Sequence, residues 1–346
     1  MQSCLCVNSP FAPARAQILF RLTPLLRGWN HGLAPTQPSC LSSHTPGRLA
    51  TMPSMCSFFR QRTAGMILAV VVTGAWPASA QKQLTAQQVI DKIKAQISAP
   101  VNPDTVDTFK AGDPNTPVTG IVTTFLDTYE VLQEAVSAGA NLIITHEPTF
   151  YNHRDETGFL KGDPVFEQKM GYIREHHLVI WRFHDQWHWR KPDGIIEGFT
   201  DAVGWGKYRR PYEQNAFTLP PTTVGQLAAD LRAKLNSRVI RIVGDPLLRV
   251  TDVAYLPGAS GEDNELKELE RDDVQVLVAG ESREWETVEY VRDAAAQGKR
   301  KALILLGHEV SEEPGMEYCA RWLRPLFPGV PVTFIPAGEP FQRVPR

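Results

Sequence analysis

Not one aspartate or glutamate occurs in the first eighty residues, although six arginines do: Arg15, Arg21, Arg27, Arg48, Arg60 and Arg62. A folded domain of ordinary composition carries both signs, so this stretch is set apart from the fold. Cysteine is as unevenly placed, with Cys4, Cys6, Cys40 and Cys56 in that stretch and Cys319 alone beyond it. Once the leader is removed the chain can close no internal disulfide, so no internal cross-link contributes to its stability. The sequence has no apolar run near the ~20 residues that a bilayer-spanning helix needs. It has no Gly-rich phosphate loop of the Walker type. Nor has it an excess of positive charge: losing six arginines from a formal −2 leaves a net charge near −8. Nucleic acid and anionic membrane are therefore poor partners.

Within the leader, Arg60 and Arg62 precede the run MILAVVVTGAW (Met66–Trp76), which Ala78-Ser79-Ala80 follows. A basic stretch, a short apolar run and a small-x-small site make a secretory signal, so cleavage is expected after Ala80, with a periplasmic or secreted destination. Gln61 separates the two arginines, which favours general secretion over a twin-arginine route. Residues 1–51 are Pro- and Ser-rich without hydrophobic period, and read as a disordered leader or a start codon placed too far upstream.

The remainder of the 346 residues is ordinary globular material, 42% apolar and 21% charged over the whole chain. From Leu84 onward, helix-period and strand-like segments alternate, the pattern of an α/β layer structure. Helices are expected over Thr85–Ile97, Asp127–Ala138, Pro164–His176, Thr223–Leu235, Asn264–Glu270, Glu286–Gln297 and Met316–Leu326. Strands are expected over Val118–Thr123, Asn141–Thr145, Leu178–Phe183, Val239–Val243, Val250–Tyr255, Val274–Ala279 and Ala302–Leu306. The Pro- and Gly-containing stretch Pro192–Pro211 reads as a connector. The layout is two similar α/β lobes with mixed, largely parallel sheets, the first over residues 81–210 and the second over 211–346.

The chemistry sits where strands end. Six of the nine histidines lie between His146 and His188, and His308 has a matching context. NLIIT runs into His146-Glu147, LVIWRF into His184-Asp185 with His188 following, and KALILLG into His308 with Glu312 four residues on. In parallel sheets the carboxyl ends of strands share one edge, so these side chains converge on a common crevice. Imidazoles mixed with carboxylates, and no thiolate, suit Zn, Mn, Fe or Co in an open site rather than Ca or a closed structural zinc. A lone His after a strand is more often a polar loop residue; three such pairs in one topological position point to metal. His176 and His177 precede a strand and belong to the opposite edge. His153 lies in a nearby loop. Glu281 and Glu284 follow VQVLVAG and are candidates to orient ligand imidazoles. Trp181, Trp187, Trp189 and Trp205 read as packing, with a substrate-stacking wall as the alternative.

These residues resemble a known family, the Nif-three-like proteins, also described as dinuclear-metal-centre hexameric proteins and as type 2 GTP cyclohydrolase I. The resemblance rests on VLQEAVSAGANLIITHEP, on Gly307-His308 with Glu312 in LLGHEVSEEPGM, and on VQVLVAGES, and spans about residues 85–342. It implies a two-lobed α/β fold, two adjacent divalent ions and a homo-oligomer, trimer or hexamer. The family's ligands are a His-His pair before proline, an Asp four residues beyond a central His, and a distal His and Glu. Here Glu147 replaces the second His and His188 replaces the Asp, so the implied metal ligands are His146, Glu147, His188, His308 and Glu312. Glu147, Glu312 or Asp185 would have to supply any bridge between ions.

The expectation is an exported divalent-metal protein acting as a hydrolase of unknown small-molecule substrate, with His184 and Asp185 as general base or orienting group. Against GTP stand export and the missing phosphate loop. The rival reading is a metal-storing or scaffold oligomer without catalysis; an amidohydrolase barrel does not suit the strand count.

Overall fold

The sequence TAQQ opens the first helix. The Thr85 hydroxyl accepts from the Gln88 amide and the Gln88 side chain accepts from the Thr85 amide, so that two free donors are satisfied reciprocally. The computed structural model of the protein describes residues 83–98 and 102–345. The expected signal peptide and its cleavage site lie outside the described residues.

After α1 (Ala86–Lys94) come β1 (Phe109–Ala111), β2 (Ile121–Thr124), α2 (Tyr129–Ser137), β3 (Leu142–Thr145), α3 (Pro164–Glu175), β4 (Val179–Arg182), α4 (Asp185–Trp189) and α5 (Gly194–Val203). The second half contains β5 (Ala216–Thr223), α6 (Val224–Lys234), β6 (Arg241–Val243), β7 (Arg249–Leu256), α7 (Glu262–Glu270), β8 (Val276–Ala279), α8 (Glu289–Ala296), β9 (Ala302–Leu305), α9 (His308–Leu323) and β10 (Val332–Phe334). Two five-stranded mixed sheets result, in the orders β1-β4-β3-β2-β10 and β5-β7-β8-β9-β6. In the first, β10, β2, β3 and β4 are parallel and β1 is an antiparallel edge. In the second, β7, β8 and β9 are parallel between antiparallel edges β5 and β6. Every residue of β2, β3, β4, β8 and β9 is buried. That is why these strands show no apolar–polar alternation, and why β8 and β9 are apolar throughout.

Each sheet has two covered faces. Ile121, Leu142, Ile144 and Trp181 pack against α1 and against Met316, Cys319 and Leu323 of α9. Val122, Ile143 and Ile180 pack against α2 and α3. In the second sheet Val253, Tyr255, Val278 and Ile304 meet Phe199 of α5 and Leu227 and Leu231 of α6, and Leu277 and Leu303 meet α7 and α8. Helices α5 and α9 therefore lie between the sheets. The Thr123 hydroxyl on β2 donates to the Met316 carbonyl, 2.8 Å, and the buried Tyr255 hydroxyl on β7 donates to the Ser311 carbonyl, 2.6 Å.

Those two helices are where the expected elements differ most. The stretch 192–211, read as a connector, contains α5; the helix expected from Met316 begins at His308. Pro314 and Gly315 look like breakers, since an interior proline forfeits an amide bond and costs about 3 kcal/mol. Tertiary contact overrides this. A side-chain carbon on Gly198 would lie 2.4 Å from the Pro314 carbonyl oxygen, and one on Gly315 would lie 2.7 Å from Ile195 Cα. Bare glycines let the two backbones touch. Strand β5 was hidden by Pro220 and Pro221, which fall where its register shifts at the sheet edge, a position that tolerates lost donors. β1 and β10, of three residues each, were also unforeseen, and β10 carries the C-terminal part of the chain back to the first sheet.

Candidate metal centre

The carboxyl ends of β3, β4 and β9 bring the expected residues together. His146 and Glu147 follow β3, and just beyond β4 His184 precedes α4 and His188 lies within it. His308 and Glu312 sit one turn apart at the start of α9. Two overlapping groups, His146 with His184 and His188, and His146 with Glu147 and Glu312, have ligand atoms within 4.8 Å of one another and could hold a metal ion. His146, Glu147 and Glu312 are buried; His184, His188 and His308 are partly so.

The orientation of the imidazoles is set from outside. Nδ1 of His146 lies 3.1 Å from the Phe183 carbonyl oxygen, Nδ1 of His184 2.9 Å from Asp185, Nδ1 of His188 2.9 Å from Asp193, and Nδ1 of His308 3.3 Å from Glu281. Each of these partners is an acceptor, so Nδ1 donates and Nε2 is left to face inward. There Nε2 of His146 and of His308 lie 3.4 and 3.1 Å from Glu312 Oε2, and Nε2 of His188 lies 3.9 Å from Glu312 Oε1. Nε2 of His184 and His308 lie 3.5 and 3.6 Å from Glu147 Oε1. His146 Nε2 is buried and has no hydrogen-bond partner. Burial also holds its pKa down. A neutral imidazole lone pair facing carboxylate oxygens repels unless a cation lies between them. The donor set thus fits a divalent ion of the Zn, Mn, Fe or Co kind.

Without an ion, protons do that work. Burial opposes charge on His188, but the Asp193 bond and the nearby Glu312 and Glu147 push it up to about 9. His308 is likewise buried, yet Glu147, Glu281 and Glu312 push it up to about 12. Burial would raise the Glu312 carboxyl, but His146 and His308 hold it well below the ordinary range.

The carboxylates differ in reach. Glu147 turns one oxygen inward, while the other accepts from Arg182 Nη2 at 3.1 Å. Arg182 is fully buried, and its Nε also donates to the His146 carbonyl, 3.0 Å. Glu312 presents both oxygens to the imidazoles. Asp185 is directed elsewhere: Oδ1 holds His184, and Oδ2 accepts from Thr105 Oγ1 at 2.8 Å and the Val106 amide at 3.2 Å. Asp107, buried, accepts from the amides of His184, Asp185 and Gln186 and so fixes the turn into α4. Gly258, two residues beyond β7, closes the site, since a side-chain carbon there would lie 2.3 Å from Glu312 Oε1 and 2.9 Å from His308 Nε2.

Of the secondary expectations, Glu281 orients His308, but Glu284 instead faces Arg241 at 3.7 Å on the surface. His176 and His177 end α3 before β4, away from the cluster. His153 stands edge-on to His184 with ring centres 6.3 Å apart. Trp181, Trp187 and Trp205 are core residues. The aromatic wall near the site is made instead by Phe125, Tyr129, Tyr151 and Phe341, lining a cavity of about 1100 Å³ that reaches Glu147, Glu281 and His308. Arg182, Asp107 and Asp193 were missed. Arg182 falls inside an apolar strand, and the two aspartates carry only the ordinary signal of a helix cap.

The fold is similar to that of a Staphylococcus aureus hypothetical protein, SA1388 (TM-score 0.61, 18% identity, 76% of this chain and 100% of that one). It is also similar to a Bacillus cereus protein related to NIF3 (0.59, 14%, 76% and 100%) and to reduced HcgD from Methanocaldococcus jannaschii (0.53, 12%, 73% and 98%). At these identities the likeness is one of fold. Comparison with curated protein sequences gives no match. The sequence pattern of Duf34/NIF3 (NGG1p interacting factor 3) matches residues 106–340, spanning all six converging side chains, and the chain belongs to that family.

Proposed function

We propose that the protein is an exported metal-dependent hydrolase whose centre takes two divalent ions, held by His146, Glu147, His188, His308 and Glu312 together with His184. The observation that carries this reading is the inward set of four Nε2 atoms and two carboxylates, with the buried His146 Nε2 facing Glu312 at 3.4 Å without a hydrogen bond. A divalent ion held there supplies Lewis acidity and activates water for hydrolysis. The chain's own residues do the rest. Glu312 is the carboxylate placed to be shared, because both its oxygens face imidazoles. Asp185 and Asp193 orient His184 and His188. The amides of His308, Glu309 and Val310, at the start of α9, have no side-chain acceptor and are disposed to receive an oxyanion.

Two ions held by these six side chains would leave room for water, as hydrolysis requires. One ion, by contrast, would be saturated by the same six, as in the storage or scaffold reading. Elemental analysis of the purified protein beside ester, amide and nucleotide hydrolysis panels separates the two. About two ions per chain with turnover supports the hydrolase; one ion without turnover supports the rival, and none after reconstitution defeats both. Export rests on the Met66–Trp76 run and Ala78-Ser79-Ala80. Assembly into a trimer or hexamer rests on the family resemblance and is read by light scattering on the eluting protein.

A further inference from the structure

The cavity beside the metal centre has walls that favour one kind of occupant. Its volume of about 1100 Å³ is that of a site for a sizeable small molecule. Phe125, Tyr129, Tyr151, Val165, Val310 and Phe341 contribute to its lining. Phe125 also stands 5.5 Å, ring centre to ring centre, from His308, so the apolar wall continues to the ligands themselves. The far wall is held in place. Glu339 accepts from the Val239 amide at 3.0 Å, and Glu313 accepts from the Ala337 amide at 2.6 Å, which anchors the segment carrying Phe341.

Beyond the metal ligands, the cavity walls offer a polyphosphate little. Glu281 and Glu339 line it against Lys169 and Arg241, and burial pushes Glu309 up to about 8, so that it adds an uncharged wall at neutral pH. Lys169 is already committed, donating to the Thr149 carbonyl at 2.9 Å and lying 3.5 Å from Asp127. Arg241 stands on the surface, more than half exposed, 3.7 Å from Glu284.

We infer that this cavity binds the uncharged, apolar or aromatic body of the substrate, so that the substrate class is a hydrophobic ester or amide rather than a nucleotide; the inference rests on the hydrolase reading of the adjoining centre. The test is binding of Nile red, a neutral apolar dye, to zinc-reconstituted full-length protein, with zinc content measured on the same samples. Val165→Asp and Phe341→Asp are the variants, because both side chains are largely exposed at the rim, 62% and 67%, and their loss leaves the core intact. Saturable binding is expected, weakened roughly ten-fold by either substitution and unchanged by added GTP or inorganic triphosphate. Displacement by GTP or triphosphate, unchanged affinity in both variants, or no dye binding to zinc-loaded protein would overturn the inference. Dye binding as expected by protein that retains no zinc would support the apolar site and overturn the metal reading instead.

Discussion

Asp193 serves two elements at once. Its Oδ1 accepts from the amides of Ile195 and Ile196 and so starts α5, while its Oδ2 lies 2.9 Å from Nδ1 of His188. One carboxylate therefore couples the start of the helix that packs between the sheets to the aim of an inward imidazole.

Asp193→Asn separates the two roles. Asparagine caps a helix about as well as aspartate, so chemical denaturation of the metal-free protein at about pH 10, where His188 is neutral, should move by less than ~1 kcal/mol. Zinc affinity, read by competition with a chelator, should fall by about ten- to a hundred-fold. Unchanged affinity would mean that the His188 orientation does not depend on this bond.

Glu147→Gln should weaken metal retention by at least about ten-fold, because it removes the inward charge and the carboxylate charge opposite the buried Arg182 Nη2. His176→Ala, at the C-terminal end of α3, should retain metal as the native chain does. Equal metal content in the two variants sinks the assignment of Glu147 as a ligand.

Chelation should lower the melting temperature. With free metal at a hundred times its dissociation constant, binding to the folded state alone contributes about 2.7 kcal/mol, and re-addition of zinc should restore it. A melting curve indifferent to chelator would show that the cluster is stable with protons alone.

The close approach of α5 and α9 predicts that Gly198→Ala destabilises the fold by about 1–3 kcal/mol in urea unfolding, since the added methyl meets backbone that cannot yield. Gly171→Ala, in α3 with nothing near the added carbon, should be neutral or stabilising by up to ~1 kcal/mol.

Export predicts that N-terminal sequencing of the protein from its native source begins at Gln81. A first residue at Met1 or Met52 would remove the argument for secretion.

The sequence itself carried the alternation of elements, the parallel β2–α2–β3 unit and the three strand ends from which the inward residues emerge. Those features are local. An apolar run such as Leu142–Thr145 and a cap such as Thr85 act through neighbours a few residues away, and the rule that parallel strands share a carboxyl edge does the rest. Tertiary structure alone decided that Pro314 and Gly315 sit inside a helix, because the reason lies in Gly198, more than a hundred positions earlier. The same holds for His184. By sequence it is a candidate general base beside Asp185; in the fold its Nδ1 is taken by Asp185, its Nε2 turns toward Glu147, and it stands as a fourth imidazole. Arg182, Asp107 and Asp193 escaped the sequence for a related reason. A side chain that orients another is recognisable by the atom it touches, and that contact exists only once distant segments have been brought together.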